Sequence, residues 1–291
     1  MRRRSRNLLN EGPLPMDRRT LINFGLISSI PLLFCFCIFI VYPIINCIAL
    51  LSSDPEVVWE MLRSSTYWRA FKNLLIFLYS AIPIKFAGAL LISGFLIYYR
   101  NNIMSKIAGA FYLLPWALPT VPAALAFRWS LDYDYGLFNK ILTDLGLPKI
   151  PWLLSYHYAM LSIVIFHVWK WMPMWTLLLY AGRQSIPEEL YEAAMIDGAS
   201  MFRRFFHVTL PLIVKLYLIC MLLSLIWSMG EFEAIWLVTM AGPAGSTHTI
   251  TTLGFQQVFQ YANMIKGASV YISVLPMVFV LMLFLMLLFR R

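Results

Sequence analysis

Residues 192–211 read EAAMIDGASMFRRFFHVTLP, a charged stretch interrupted by glycine and set between two long apolar runs. Just upstream, PEELYEAA places Pro187 in a first helical turn and acidic side chains beside the positive end of a helix dipole, so a helix is expected to start there. Gly198 permits backbone angles closed to other residues. Ala199 and Ser200 then open a second short helix through Phe202, Phe205 and Phe206, expected to end near Pro211. The product is a helix-turn-helix at a membrane face. Ala193 and Ala194 allow another surface close approach, Glu192 and Asp197 offer anionic contacts, and the whole suits insertion into a groove on a partner.

The membrane follows from what flanks this stretch. Of 291 residues 60% are hydrophobic and 13% charged, and the mean hydropathy is +0.73. A soluble domain carries about a quarter charged residues. Crossing roughly 30 Å of hydrocarbon takes about 20 helical residues, and runs of that order fall at 21–51, 71–99, 103–127, 157–182, 212–240 and 268–289. The expectation is an all-α polytopic membrane protein with six spans. A basic tail, 1–20, precedes a six-helix domain, 21–291, which contains the polar loop 184–211.

The net charge of +9 could suggest nucleic acid, but the basic residues are distributed as a topology signal. One side holds Arg2, Arg3, Arg4, Arg6, Arg18, Arg19, Arg100, Lys106, Arg183, Arg203, Arg204, Lys215, Arg290 and Arg291. The other holds half as many: Arg63, Arg69, Lys72, Arg128, Lys140, Lys149 and Lys266. The positive-inside rule therefore predicts that both termini and the 192–211 stretch are cytoplasmic. The first apolar run is too long for the core of a cleaved secretory signal and reads as an uncleaved anchor. Cys35, Cys37, Cys47 and Cys220 fall within spans without metal or redox spacing and read as packing residues.

Pro115, Pro119 and Pro122 lie within eight residues of the third run and should bend or partly unwind it. Such a break either lines a cavity or serves packing alone. Outer loops are expected around Asp54 to Glu56, from Ser130 to Ser155 as a re-entrant or short helical cap, and from Ala241 to Lys266.

The spacing Glu192-Ala193-Ala194, three residues, Gly198, nine residues, Val208, one residue, Leu210-Pro211 resembles the EAA signature of permease subunits of ATP-binding-cassette importers. With its flanks from Gln184 to Tyr191 and through Leu212, it looks like the carbohydrate-uptake group related to the maltose importer. Val208 stands where isoleucine is commoner. The resemblance implies a type I importer permease fold, with a coupling helix seated in a cleft of an ATPase subunit, where Glu192 meets an arginine. Glu192, Ala193, Ala194, Asp197, Gly198 and Pro211 are the implied coupling residues. Val41-Tyr42-Pro43 resembles the subunit type that pairs with a second, different permease. The implied partners are that permease, two ATPase subunits holding ATP and magnesium, and an extracytoplasmic solute-binding protein. This chain itself is expected to carry no cofactor.

Polar groups inside spans are costly and point to function. On the fourth span His167, Lys170, Trp171 and Met174 share one helical face, and on the fifth Ser224, Trp227, Ser228 and Glu231 do the same. Tryptophan faces stack on sugar C–H surfaces while hydroxyl, ammonium and carboxylate groups bond ring hydroxyls. Aligned on the EAA motif, both stripes and Thr120 fall where the maltose-importer family places transmembrane sugar contacts. The side chains differ from that family member, notably at Lys170 and Trp171, which implies a different substrate. A second reading stands beside this one: His167 and Lys170 pair with Glu231 or Glu233 to hold helices together. For Lys85 in the second span, an interhelical pair or a snorkelling side chain is the favoured reading.

The chain has no GxxxxGK[ST] phosphate loop, HExxH or GxSxG, and His157, His167, His207 and His248 lack metal-ligand spacing. The expected function is the membrane path of an ATP-driven importer for a sugar, polyol or glycoside, working by alternating access without catalysis of its own. The alternative is a secondary transporter or channel that uses intramembrane Lys170 and Glu231 for ion coupling.

Overall fold

The computed structural model describes residues 18–290. The arginines at 2, 3, 4 and 6, and most of the expected tail 1–20, lie outside the described residues. Among the described residues there is helix and no strand, and the chain divides at Asp54 into two units.

Among its described residues the first unit is a single helical rod. Helix α1 (Arg18–Phe36) runs through a π-helical turn, Cys37–Val41, into α2 (Tyr42–Ser53). Its apolar part, Ile27–Ser53, is 27 residues long and could cross a bilayer. Pro43 does not end the helix. The π turn just before it, with the Tyr42 N–H reaching the Cys37 carbonyl, shifts the bonding ladder and absorbs the missing N–H.

The second unit starts with α3 (Pro55–Arg63), a short helix where an outer loop was expected, followed by α4 (Ser65–Tyr98). Ser64 starts α4 by accepting the Tyr67 N–H at 3.1 Å. The largest helix interface is α4 against α8 (Tyr156–Gln184). Ala70, Leu74, Phe77 and Ala81 recur on one face of α4 at intervals of three and four, fully or almost fully buried. The alanines let the helices approach closely, the usual device where lipid removes the hydrophobic drive between spans.

Between those helices the third run breaks where the prolines predict. Helix α5 (Ile103–Ala117) and α6 (Thr120–Ser130) meet at 97°. Leu118, preceding Pro119, is extended at φ −66°, ψ 141°, because the proline ring excludes the helical conformation from its predecessor. Helix α7 (Leu137–Asp144) forms the expected short cap in the next loop. Asp132 closes the turn before it by accepting the Tyr135 and Asp134 N–H groups at 2.9 Å each. Those bonds hold its carboxyl below the usual carboxylate range.

Beyond α8 come α9 (Glu188–Ile196) and α10 (Met201–Arg204), which continues through the π-helical turn Phe205–Thr209 into α11 (Leu210–Met229). Two expectations are corrected here. The second arm of the hairpin does not end near Pro211. Met201–Met229 is one 29-residue span, because the π turn shifts the bonding ladder, with the Leu210 N–H reaching the Phe205 carbonyl, and so absorbs the proline. The fifth span also stops at Met229 rather than near 240. Gly230 ends it, and α12 (Glu233–Thr239) is a separate helix closed by left-handed Met240.

The expected loop 241–266 holds α13 (Ile250–Phe255) and a π turn, Gln256–Gln260, before the last span α14 (Met264–Arg290). Asn73 of α4 ties that loop down, donating to the Ser246 and His248 carbonyls at 2.7 and 2.8 Å. Among the described residues five helices are long and apolar enough to cross a membrane, or six if the bent pair α5–α6 counts as one span. Cys220 is buried while Cys35 and Cys37 are exposed, all as free thiols.

Candidate functional site

A cavity of about 210 Å³ lies among α4, α8 and the end of α11, and it gathers most of both predicted stripes: His167, Trp171, Ser224, Trp227, Ser228 and Glu231. Lys85 and Trp175 complete its lining. Trp175 could have been read from the sequence, since it stands one turn beyond Trp171 on the same face. Lys85, 82 residues from His167, could not.

Lys85, His167 and Glu231 form a relay. Lys85 Nζ lies 3.0 Å from His167 Nε2, and His167 Nδ1 lies 2.8 Å from Glu231 Oε2. An ammonium only donates, so Nε2 accepts and Nδ1–H donates to the carboxylate. Glu231 Oε1 accepts the Ala234 N–H at 3.0 Å and so caps the start of α12. Ser228 Oγ is 3.2 Å from His167 Nε2. Lys85 is 1% exposed and His167 2%. With Lys85 as the ammonium, one cation and one anion joined by a neutral ring sum to no net charge, the arrangement in which ionisable side chains persist inside a membrane protein.

The cavity keeps spare binding capacity. Ser224, 1% exposed, has a hydroxyl with no hydrogen-bond partner among the described residues. Trp175 and Trp227 stand 5.7 Å apart, ring centroid to centroid. Aromatic faces beside an unsatisfied hydroxyl and a carboxylate can grip a polyhydroxylated solute with an apolar underside.

Three predicted residues lie outside this cavity. Met174 is half-buried on α8, and Thr120 starts α6. Lys170 points to the break in the third span: its Nζ donates to the Pro115 and Trp116 carbonyls at 2.9 and 3.2 Å, and to that of Leu118. These are carbonyls at the C-terminal end of α5, where a cation both satisfies acceptors and meets the negative end of the dipole. Pairing of Lys170 with Glu231 or Glu233 is not seen; His167 does pair with Glu231.

The predicted hairpin follows the C-terminal end of α8, about 25 Å along the helix from His167 at 1.5 Å per residue. Gly198 is left-handed at φ +71°. Its N–H donates to the Met195 carbonyl at 3.0 Å and the Ala199 N–H to that of Ala194 at 2.9 Å, the pair of bonds that closes a helix on a left-handed glycine. Ser200 caps the next arm, accepting the Arg203 N–H at 3.4 Å. Glu192, Ala193, Asp197, Gly198 and Pro211 are exposed and Ala194 is half-buried. No residue of α9 is buried, so the hairpin presents a free ridge. Arg100 braces its root, with Nη2 donating to both oxygens of Glu188 at 2.9 Å. Eighty-eight residues separate that pair, and nothing local in the sequence announces it. No group of acidic, histidine or cysteine side chains suited to a metal ion occurs among the described residues.

Residues 89–291 match the family described as binding-protein-dependent transport system inner membrane component. The trehalose/maltose transport system permease protein MalF of Thermococcus litoralis is 34% identical over 270 residues, covering 88% of this chain and 90% of that protein. The arabinooligosaccharides transport system permease protein AraP of Bacillus subtilis is 29% identical over 269 residues, covering 87% and 84%. In fold, the chain is similar to a subunit in the crystal structure of a bacterial alginate ABC transporter in complex with an alginate pentasaccharide-bound periplasmic protein. The TM-score there is 0.78 at 22% identity, over 92% of this chain and 93% of the other.

Proposed function

We infer the function from the family: this chain belongs to the binding-protein-dependent transport system inner membrane components, and it is a permease subunit whose solute is a carbohydrate or a related polyol or glycoside. The observation that carries this reading is the exposed hairpin turned at left-handed Gly198. It is a ridge without a groove, fit to seat in a partner and to move the spans to which it is rooted. The excess of Lys and Arg on its side of the membrane supports a cytoplasmic position for the hairpin and both termini. A separate ATPase subunit then grips the hairpin and holds ATP and magnesium. An extracytoplasmic binding protein delivers solute at the opposite face, and a second, different permease completes the pathway.

Relatives named for trehalose or maltose and for arabinooligosaccharides support the carbohydrate class, and the tryptophan-lined cavity has chemistry to match. Solute hydroxyls would meet Ser224 Oγ and Glu231, with an apolar sugar face against Trp171 or Trp227. Trp171→Ala and Ser224→Ala should each lower solute uptake about tenfold, the worth of one stacking or buried hydrogen-bonding contact. Uptake of labelled solute into proteoliposomes, with ATPase turnover as the control for assembly, measures this. Unchanged uptake in both variants would remove the cavity from the pathway.

A further inference from the structure

At the hairpin end of the second unit, two clefts meet at one guanidinium. The first, about 830 Å³ and almost wholly apolar, is lined by Leu91, Phe95 and Tyr98 of α4 and by Phe202 and Phe206 of the hairpin's second arm. The second, about 810 Å³, is polar and contains Arg100, Tyr191 and Arg204 together with Glu188, Glu189 and Glu192. Arg183 and Gly94 line both. Arg183 is 9% exposed. Its Nη2 donates to the Leu90 carbonyl at 2.9 Å, and its guanidinium stands 5.7 Å from the Phe205 ring centroid.

The donors left over are the informative part. Arg183 Nε and Arg204 Nε are buried and have no acceptor among the described residues. Among those residues no ion pair joins either arginine to an acid, whereas Arg100 is committed to Glu188. A Cβ at position 94 would stand 2.5 Å from Arg183 Nη1, so Gly94 leaves the room that the guanidinium occupies beside the backbone of α4. A buried cation with spare donors, beside an apolar slot, asks for an occupant with an anionic head and a hydrocarbon body.

The position narrows the occupant further. Arg183 is in the last turn of α8 and Tyr98 ends α4, so the junction sits at a membrane interface, where tyrosines gather and anionic head groups are at hand. Guanidinium groups grip phosphate oxygens in fork geometry. We propose that this junction is a binding site for an anionic phospholipid, with the phosphodiester on Arg183 and Arg204 and an acyl chain in the apolar cleft. The site needs only that the chain spans a membrane, so it stands apart from the identity of the transported solute.

The test uses the protein purified with whatever subunits it retains, stripped of lipid and titrated with phosphatidylglycerol or phosphatidylcholine while binding is followed by native mass spectrometry. Phosphatidylglycerol should bind at least about tenfold more tightly than phosphatidylcholine, which offers the same phosphodiester but brings a choline cation beside the two arginines. Arg183→Gln combined with Arg204→Gln should erase that preference. Gly94→Ala, which displaces the guanidinium without removing charge, should weaken it, and decides the matter alone if the double variant does not assemble. Millimolar inorganic phosphate should not displace the lipid. Equal binding of the two lipids, an unchanged preference in Gly94→Ala, displacement by free phosphate, or a protein segment found seated in the cleft of the purified assembly would each overturn the proposal.

Discussion

A Gly198→Pro variant is expected to reach the membrane with its spans intact and to lose ATP-driven uptake by about 100-fold or more. Gly198 holds φ at +71°, and proline fixes φ near −65°. The substitution also deletes the N–H that reaches the Met195 carbonyl. Turn and bond fail together, at about 3 kcal/mol or more, which corresponds to roughly 100-fold in an equilibrium. The damage stays local because α9 contributes no buried residue to the span core. Glu192 and Asp197 would no longer share the geometry of one rigid ridge, so an ATPase subunit should cease to co-purify. Gly198→Asn, which tolerates the left-handed conformation, should retain most of both properties. Undiminished co-purification of an ATPase with the proline variant, and above all with Glu192→Ala added, would remove the hairpin from the coupling path.

The second large effect concerns the buried relay. Lys85→Met should destabilise the protein by about 3–5 kcal/mol, since it strands the Glu231 carboxylate, with His167, away from a counter-charge. Thermal unfolding in detergent, followed by intrinsic tryptophan fluorescence, would register the loss. Adding Glu231→Gln should restore part of it, because glutamine removes the charge yet can still accept the Ala234 N–H. A relay that contributes nothing would leave the midpoint of Lys85→Met at that of the parent.

The long apolar helices and the proline break were legible in the sequence because both depend on local chemistry. Apolar length sets the first, and the restricted backbone of Leu118 before Pro119 sets the second. The left-handed turn at Gly198 was legible for the same reason. Pro211 misled: read alone, it is a helix terminator, but the π turn at Phe205–Thr209 lies one turn upstream and absorbs it. The fifth apolar run misled too, since hydropathy does not register the stop at Gly230.

Within the cavity, helical spacing united His167 with Trp171 and Ser224 with Ser228, because each set lies on one helix. It could not supply Lys85, brought in from α4 by packing. Lys170 shows the same limit from the other side. Its spacing put it on the stripe of Trp171, yet its ammonium is spent on the carbonyls of the broken third span, a partner more than 50 residues away.

Energetics decide whether ATP moves this chain through its hairpin. Proteoliposomes holding the assembled importer, with its binding protein supplied on the outer face, should accumulate labelled solute only with ATP and magnesium inside. A protonophore or sodium ionophore should leave that uptake unchanged. Uptake that continues without ATP and collapses with the ionophore would mean that ATP does not drive this chain, and would make the Lys85–His167–Glu231 relay an ion-coupling site instead.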